Sequence, residues 1–218
     1  MAAAAKKAKA RPKTTATAKA PRAGKAAPRA WQRMLSGRRL DLLDPSPFDV
    51  EIEDIAHGLA RVARWNGQTI GRNAFSVAQH SMVVEEICRK LEPTWSKENR
   101  LLALLHDAPE YVIGDMISPF KAALGLDYKV FERKLESAIH LRFGLPAHPS
   151  AAVKAVIKRA DQICAYFEAV QLAGFEKREA LSFFGAPERG LALDLKPRPT
   201  QEIQEAFLSR FRSLIDPA

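Results

Sequence analysis

The stretch LLALLHDAPEY, residues 101–111, closes an apolar run by setting His106, Asp107 and Glu110 almost side by side. Two other residues share their setting. His80, in SVAQHSMVVEE, has Val77 and Val83 three residues to either side, so its imidazole points toward an apolar interior. Asp161, in VIKRADQICAY, is flanked by Ile157 and Cys164 at helical spacing. A buried carboxylate is unfavourable unless it is paired or bound to a metal. Each residue alone has a structural explanation: His80 as a satisfied core histidine, Asp161 as half of an ion pair with Arg159. Adjacent residues such as His106 and Asp107 diverge by about 100° on a helix, which suits a cation over a helix end better than a mutual hydrogen bond. Together the two imidazoles and two carboxylates form a donor set of charge −2. One divalent ion neutralises it, and open positions remain for water or a phosphate oxygen. Nitrogen and oxygen donors without thiolate admit Mn, Co, Zn, Ni or Fe.

Positioning these residues requires several helices. DVEIEDIAHGLARVARW spaces Ile52, Ile55, Leu59 and Val62 as one amphipathic helix. SVAQHSMVVEEICRKL predicts a second, capped by Ser76, and SKENRLLALLHDA a third. Pro109 lacks an N–H and clashes with the carbonyl of Leu105, so the third helix should kink or restart there. An uninterrupted helix would bring Glu110 onto the face of His106 and Asp107. DYKVFERKLESAIHLRFG, ending at Gly144, SAAVKAVIKRADQICAYFEAVQLAG, ending at Gly174, and TQEIQEAFLSRFRSLI read as three more helices. GQTIGRNAF is a turn or a short strand, and SGRRLDLLDPSP allows another strand. The expected class is all-α, a helical bundle with room for one short β-hairpin.

Charge separates the chain into a tail, residues 1–29, and a body, residues 30–218. The net charge is +9, and the tail holds nine Lys and Arg and no acid. The body is formally neutral. The tail has no large apolar residue with which to offset ordering, so it reads as disordered. Its lysines suit weak, non-specific nucleic-acid contact, without an aromatic stacking platform before Trp31. No apolar run reaches the roughly 20 residues that span a membrane. No secretory h-region is present, and Cys88 and Cys164 read as reduced core residues, so a cytoplasmic location is expected.

The order AQHS, LLHDAPE, IKRADQICAY resembles the HD superfamily of metal-dependent phosphohydrolases. HDAPEYVIGDMISPFK and RADQICAY resemble segments of the small bacterial 5′-deoxynucleotidases, over roughly residues 50–175. The small phage deoxyadenosine triphosphohydrolases are similar too. The resemblance implies an HD-domain bundle whose metal ligands are His80, His106, Asp107 and Asp161, with Glu110 as general acid/base. It implies a nucleotide substrate gripped at the phosphate by Arg64, with Trp65, Asp115 and Ser118 contacting the nucleoside, and a homo-oligomeric assembly. The implied reaction is removal of the 5′-phosphate from deoxynucleoside monophosphates. Two alternatives stand beside it: release of triphosphate from deoxynucleoside triphosphates, and nucleic-acid binding through residues 1–29 with a structural metal.

Overall fold

Two short strands, β1 (Trp31–Arg33) and β2 (Arg39–Asp41), open the fold as an antiparallel hairpin with Gln32 opposite Leu40. This is a computed structural model, and it describes residues 30–116 and 126–215. Among the described residues eight α-helices follow the hairpin: α1 (Ile52–Leu59), α2 (Val77–Leu91), α3 (Lys97–Leu104), α4 (Glu110–Ile113), α5 (Leu126–Arg142), α6 (Ala151–Gln171), α7 (Lys177–Phe184) and α8 (Thr200–Ile215). The all-α expectation holds, and the hairpin is the two-stranded sheet among the described residues. No helix among them is long and apolar enough to cross a membrane. The sequence-based candidate Ser118 lies outside the described residues.

Helix starts follow side-chain capping. The hydroxyls of Ser76, Ser96 and Ser150 accept from the amides of Gln79, Asn99 and Val153, which would otherwise lack partners in the first turns of α2, α3 and α6. The central helix is α2, which packs on α6, α3 and α8. One core joins Ile55, Leu59, Leu104, Leu135, Ile139 and Phe207, and a second joins Ile87 and Cys88 of α2 to Ile163 and Cys164 of α6. Both cysteines are free and buried. Burial pushes both thiols up to about 12, with the charge of Glu85 adding to Cys88 and that of Glu168 to Cys164.

Three segments differ from the sequence reading. The first helix stops at Leu59 instead of running to Trp65. The backbone of residues 62–64 is drawn into pairing with the start of α2: Val77 N–H donates to Val62 O at 2.9 Å, and Arg64 N–H donates to Phe75 O at 2.8 Å. The third helix stops at Leu104, and residues 105–109 form consecutive turns. A new helix, α4, then begins just after Pro109, where a missing N–H does no harm. Glu110 therefore does not continue the helix before it. No sequence signal announced α7, which buries only Ala180.

Gly58 sets how closely α1 approaches α4. A Cβ there would stand 2.8 Å from Tyr111 Cβ and 3.0 Å from the Tyr111 carbonyl oxygen. Gly58→Ala is expected to destabilise the fold by about 1–3 kcal/mol through overpacking. That outweighs a helix-propensity gain of about 1 kcal/mol. Urea unfolding measures the sign, and a more stable variant would mean that α4 yields freely.

Candidate metal centre

His80 projects from the first turn of α2 and is wholly buried. His106 and Asp107 sit in the turns between α3 and α4, and Asp161 comes from α6. His80 Nε2 lies 3.5 Å from Asp107 Oδ2 and 3.4 Å from Asp161 Oδ1, and His106 Nε2 lies 3.3 Å from Asp107 Oδ2. Donor atoms of His80, His106 and Asp161 all fall within 4.8 Å of one another. The ion pair weighed for Asp161 with Arg159 does not form. Arg159 pairs with Glu188, and Asp161 takes the exposed Lys158 at 2.8 Å.

The other ring nitrogen of each histidine is committed. His106 Nδ1–H donates to Ala103 O at 2.9 Å, and a carbonyl can only accept. His80 Nδ1–H donates to Glu168 Oε1 at 2.5 Å. The two Nε2 atoms are buried without a hydrogen-bond partner, with oxygens of Asp107 and Asp161 standing 3.3–3.5 Å away. Imidazoles that bind metals show this pattern: one nitrogen donates to an outer acceptor and the other keeps its lone pair for the ion. The residues present therefore fit a divalent cation of borderline character.

The local field points the same way. Burial raises the Asp107 and Asp161 carboxyls, yet the neighbouring imidazoles outweigh it and hold both well below the usual carboxylate range. Burial and Arg64 push His80 down, and the surrounding carboxylates, Glu168 first, raise it well above its ordinary value. An environment that draws a proton to an imidazole draws a cation equally, and the cation displaces the proton.

Behind His80 lies Glu168, itself fully buried. It accepts from Trp65 Nε1 at 2.8 Å, from Arg64 Nε at 3.3 Å and from Cys164 Sγ at 3.2 Å, besides His80. Its carboxyl is held down at about 2: burial opposes this, and the Arg64 and His80 charges and hydrogen bonds prevail. His80, Cys164 and Glu168 are close enough to suggest a second ion site. The raised thiol stays protonated and donates, so this group is a hydrogen-bonded support.

Arg64 also donates from NH1 to Asp115 Oδ2 at 3.2 Å, which ties it to the chain just past α4. Glu168, Asp115, Asp107 and Asp161 keep its guanidinium charged against burial. Trp65 has φ of 57°, a conformation rare for a bulky residue, and its ring packs on Phe175 and Phe184 at 5.5 and 6.0 Å. The indole N–H and the Asp115 carboxylate thus serve Glu168 and Arg64.

Beside the cluster opens a cleft of about 230 Å³. His106, Asp107, Pro109 and Glu110 line one wall, and Glu132, Arg133 and Glu136 of α5 line the other. Glu110 is 2 % exposed, so a carboxylate from α4 stands buried at this cleft although the preceding helix has broken.

No family model matches the chain. An uncharacterized protein of Rhodobacter capsulatus is 58% identical over 191 residues, covering 86% of this chain and 96% of that protein. This chain belongs to the same family. A second relative, the uncharacterized protein YfdR of Escherichia coli K12, is 37% identical over 106 residues, 49% of this chain and 54% of YfdR.

In this member of the family, sequence reasoning missed Glu168 and the part played by Cys164. The signal was present. Asp161, Cys164 and Glu168 recur at i, i+3 and i+7, one face of α6.

Proposed function

We propose that this protein is a metal-dependent phosphohydrolase of the HD superfamily, acting on deoxynucleoside 5′-monophosphates. The observation that carries this reading is the pair of buried imidazole Nε2 atoms without hydrogen-bond partners, set between the carboxylates of Asp107 and Asp161 beside the cleft lined by Glu110. His80, His106, Asp107 and Asp161 would hold the ion, and Mn, Co, Zn, Ni or Fe suits them. A divalent ion held there supplies Lewis acidity toward a phosphoryl oxygen.

The remaining work falls to the chain's own groups. Glu110, buried at the cleft, takes a proton from the attacking water and returns one to the leaving 5′ oxygen. Arg64 is held charged through bonds from Nε and Nη1, and it supplies a charged donor for a phosphate oxygen. The α5 wall offers carboxylates that accept from sugar hydroxyls or base amino groups.

Electrostatics favours a monoester over a triphosphate. Among the described residues the cleft lining carries Asp107, Glu110, Glu132 and Glu136 against the cation Arg133. A divalent ion offsets one pair of these charges, and a triphosphate chain would still meet an excess of like charge.

The test uses protein stripped by chelator and reloaded separately with each of the five metals, assayed on deoxynucleoside and ribonucleoside mono- and triphosphates. Orthophosphate from the deoxymonophosphates, absent in the stripped protein, is the expected result. Tripolyphosphate release would establish the triphosphohydrolase alternative instead. No hydrolysis by any reloaded form removes the enzyme reading.

A further inference from the structure

Glu168 touches both halves of the site, and its position rests on no reading of the family's chemistry. Its two oxygens divide the work. Oε1 receives the Nδ1 proton of His80, at 2.5 Å, and the Cys164 thiol, at 3.2 Å. Oε2 receives the Trp65 indole, at 2.8 Å, and Arg64 Nε, at 3.3 Å. One oxygen thus fixes a metal-donor imidazole and the other fixes the guanidinium proposed to meet phosphate. The carboxylate is wholly buried, so no water can replace a donor that leaves.

We infer that Glu168 is a positioning residue that couples cation affinity to phosphate affinity, building on the function proposed above. Two physical effects act through it. It fixes the His80 tautomer that presents Nε2, and it offsets the Arg64 charge, which would otherwise repel a cation held by Asp107 and Asp161. Rotating the carboxylate to suit one side breaks its bonds on the other, so the two ligands order the same group. Coupling of this kind between sites is typically about 5- to 150-fold.

The experiment compares full-length wild type with Glu168→Gln. Zn²⁺ affinity is read by competition with a chromophoric chelator, and inorganic phosphate binding by calorimetry at saturating Zn²⁺. Circular dichroism and melting confirm folding. The expected result is a Zn²⁺ affinity lower by about 10- to 100-fold, as for other outer partners of metal-binding histidines, together with weaker phosphate binding. Arg64→Ala should weaken phosphate without weakening Zn²⁺, because it removes a like charge from the cation's surroundings. Glu168→Asp keeps the charge and withdraws it by one methylene, so it serves if the Gln variant does not fold, and both affinities should again fall. Nitrogen NMR of the wild type should show a strongly deshielded His80 Nδ1 proton. Unchanged Zn²⁺ affinity in a folded Glu168 variant overturns the inference, and so does lost Zn²⁺ affinity with intact phosphate binding. None of these readouts uses ester hydrolysis, so the inference and the proposed activity fail separately.

Discussion

Replacing Asp161 by alanine is expected to reduce cation affinity by more than about 100-fold, beyond the loss typical of outer partners, and to reduce phosphate release to background. The folded protein should survive the change. Asp161 is about a fifth exposed; its partners are the His80 imidazole at 3.4 Å and Lys158 at 2.8 Å, the lysine itself 67% exposed. Pairs of that kind contribute about 0–1 kcal/mol. Asp107 faces the same imidazole at 3.5 Å, so His80 keeps a carboxylate neighbour when Asp161 is removed. A structural ion pair would give the opposite pattern, with the fold weakened and metal binding intact. Calorimetric titration with Mn²⁺ or Zn²⁺, paired with urea unfolding of the metal-free form, separates the two. A variant that binds metal like the wild type would remove Asp161 from the centre.

Glu110→Gln should behave differently. The substitution keeps size and hydrogen-bonding capacity and removes the ability to take up a proton. Turnover is expected to fall by about 10² to 10⁴, the usual contribution of a placed acid/base. Metal affinity should change little, because Glu110 stands on α4, outside the set of His80, His106 and Asp161 and the Asp107 carboxylate that faces both imidazoles. The measurement is kcat under saturating metal and substrate beside a metal titration of the same preparation. Full activity in Glu110→Gln would transfer the proton work to another group in the cleft.

Both variants probe residues that stood out in the sequence, and the reason is physical. A charged or imidazole side chain on an apolar helical face is conspicuous, because burial without a partner is so unfavourable. Helix starts were equally visible through Ser76, Ser96 and Ser150, since the cap is a local hydrogen bond between near neighbours in sequence. Non-local demands were hidden. The early end of α1 follows from pairing between residues 62–64 and 75–77, which no periodicity within the helix encodes. The four residues of α4 are too few to show a period. Glu168, in AYFEAV, shares a helical face with Asp161 and Cys164, but nothing in that face tells what it binds. Its value comes from four donors, two of them on a turn about a hundred residues earlier. The break at Pro109 was legible, but the return of Glu110 to the cleft depends on how α4 docks against α1 at Gly58.

The donors come from α2, the turns after α3, and α6, positions 80, 106, 107 and 161. An unfolded chain cannot bring such distant positions to one point without closing long loops. A cation held there would act as a reversible cross-link between α2, the turns after α3, and α6. Its binding energy would belong to the native state alone. At a hundred times its dissociation constant it would add about 2.7 kcal/mol to stability, so the melting temperature would then gauge how much metal surrounds the protein.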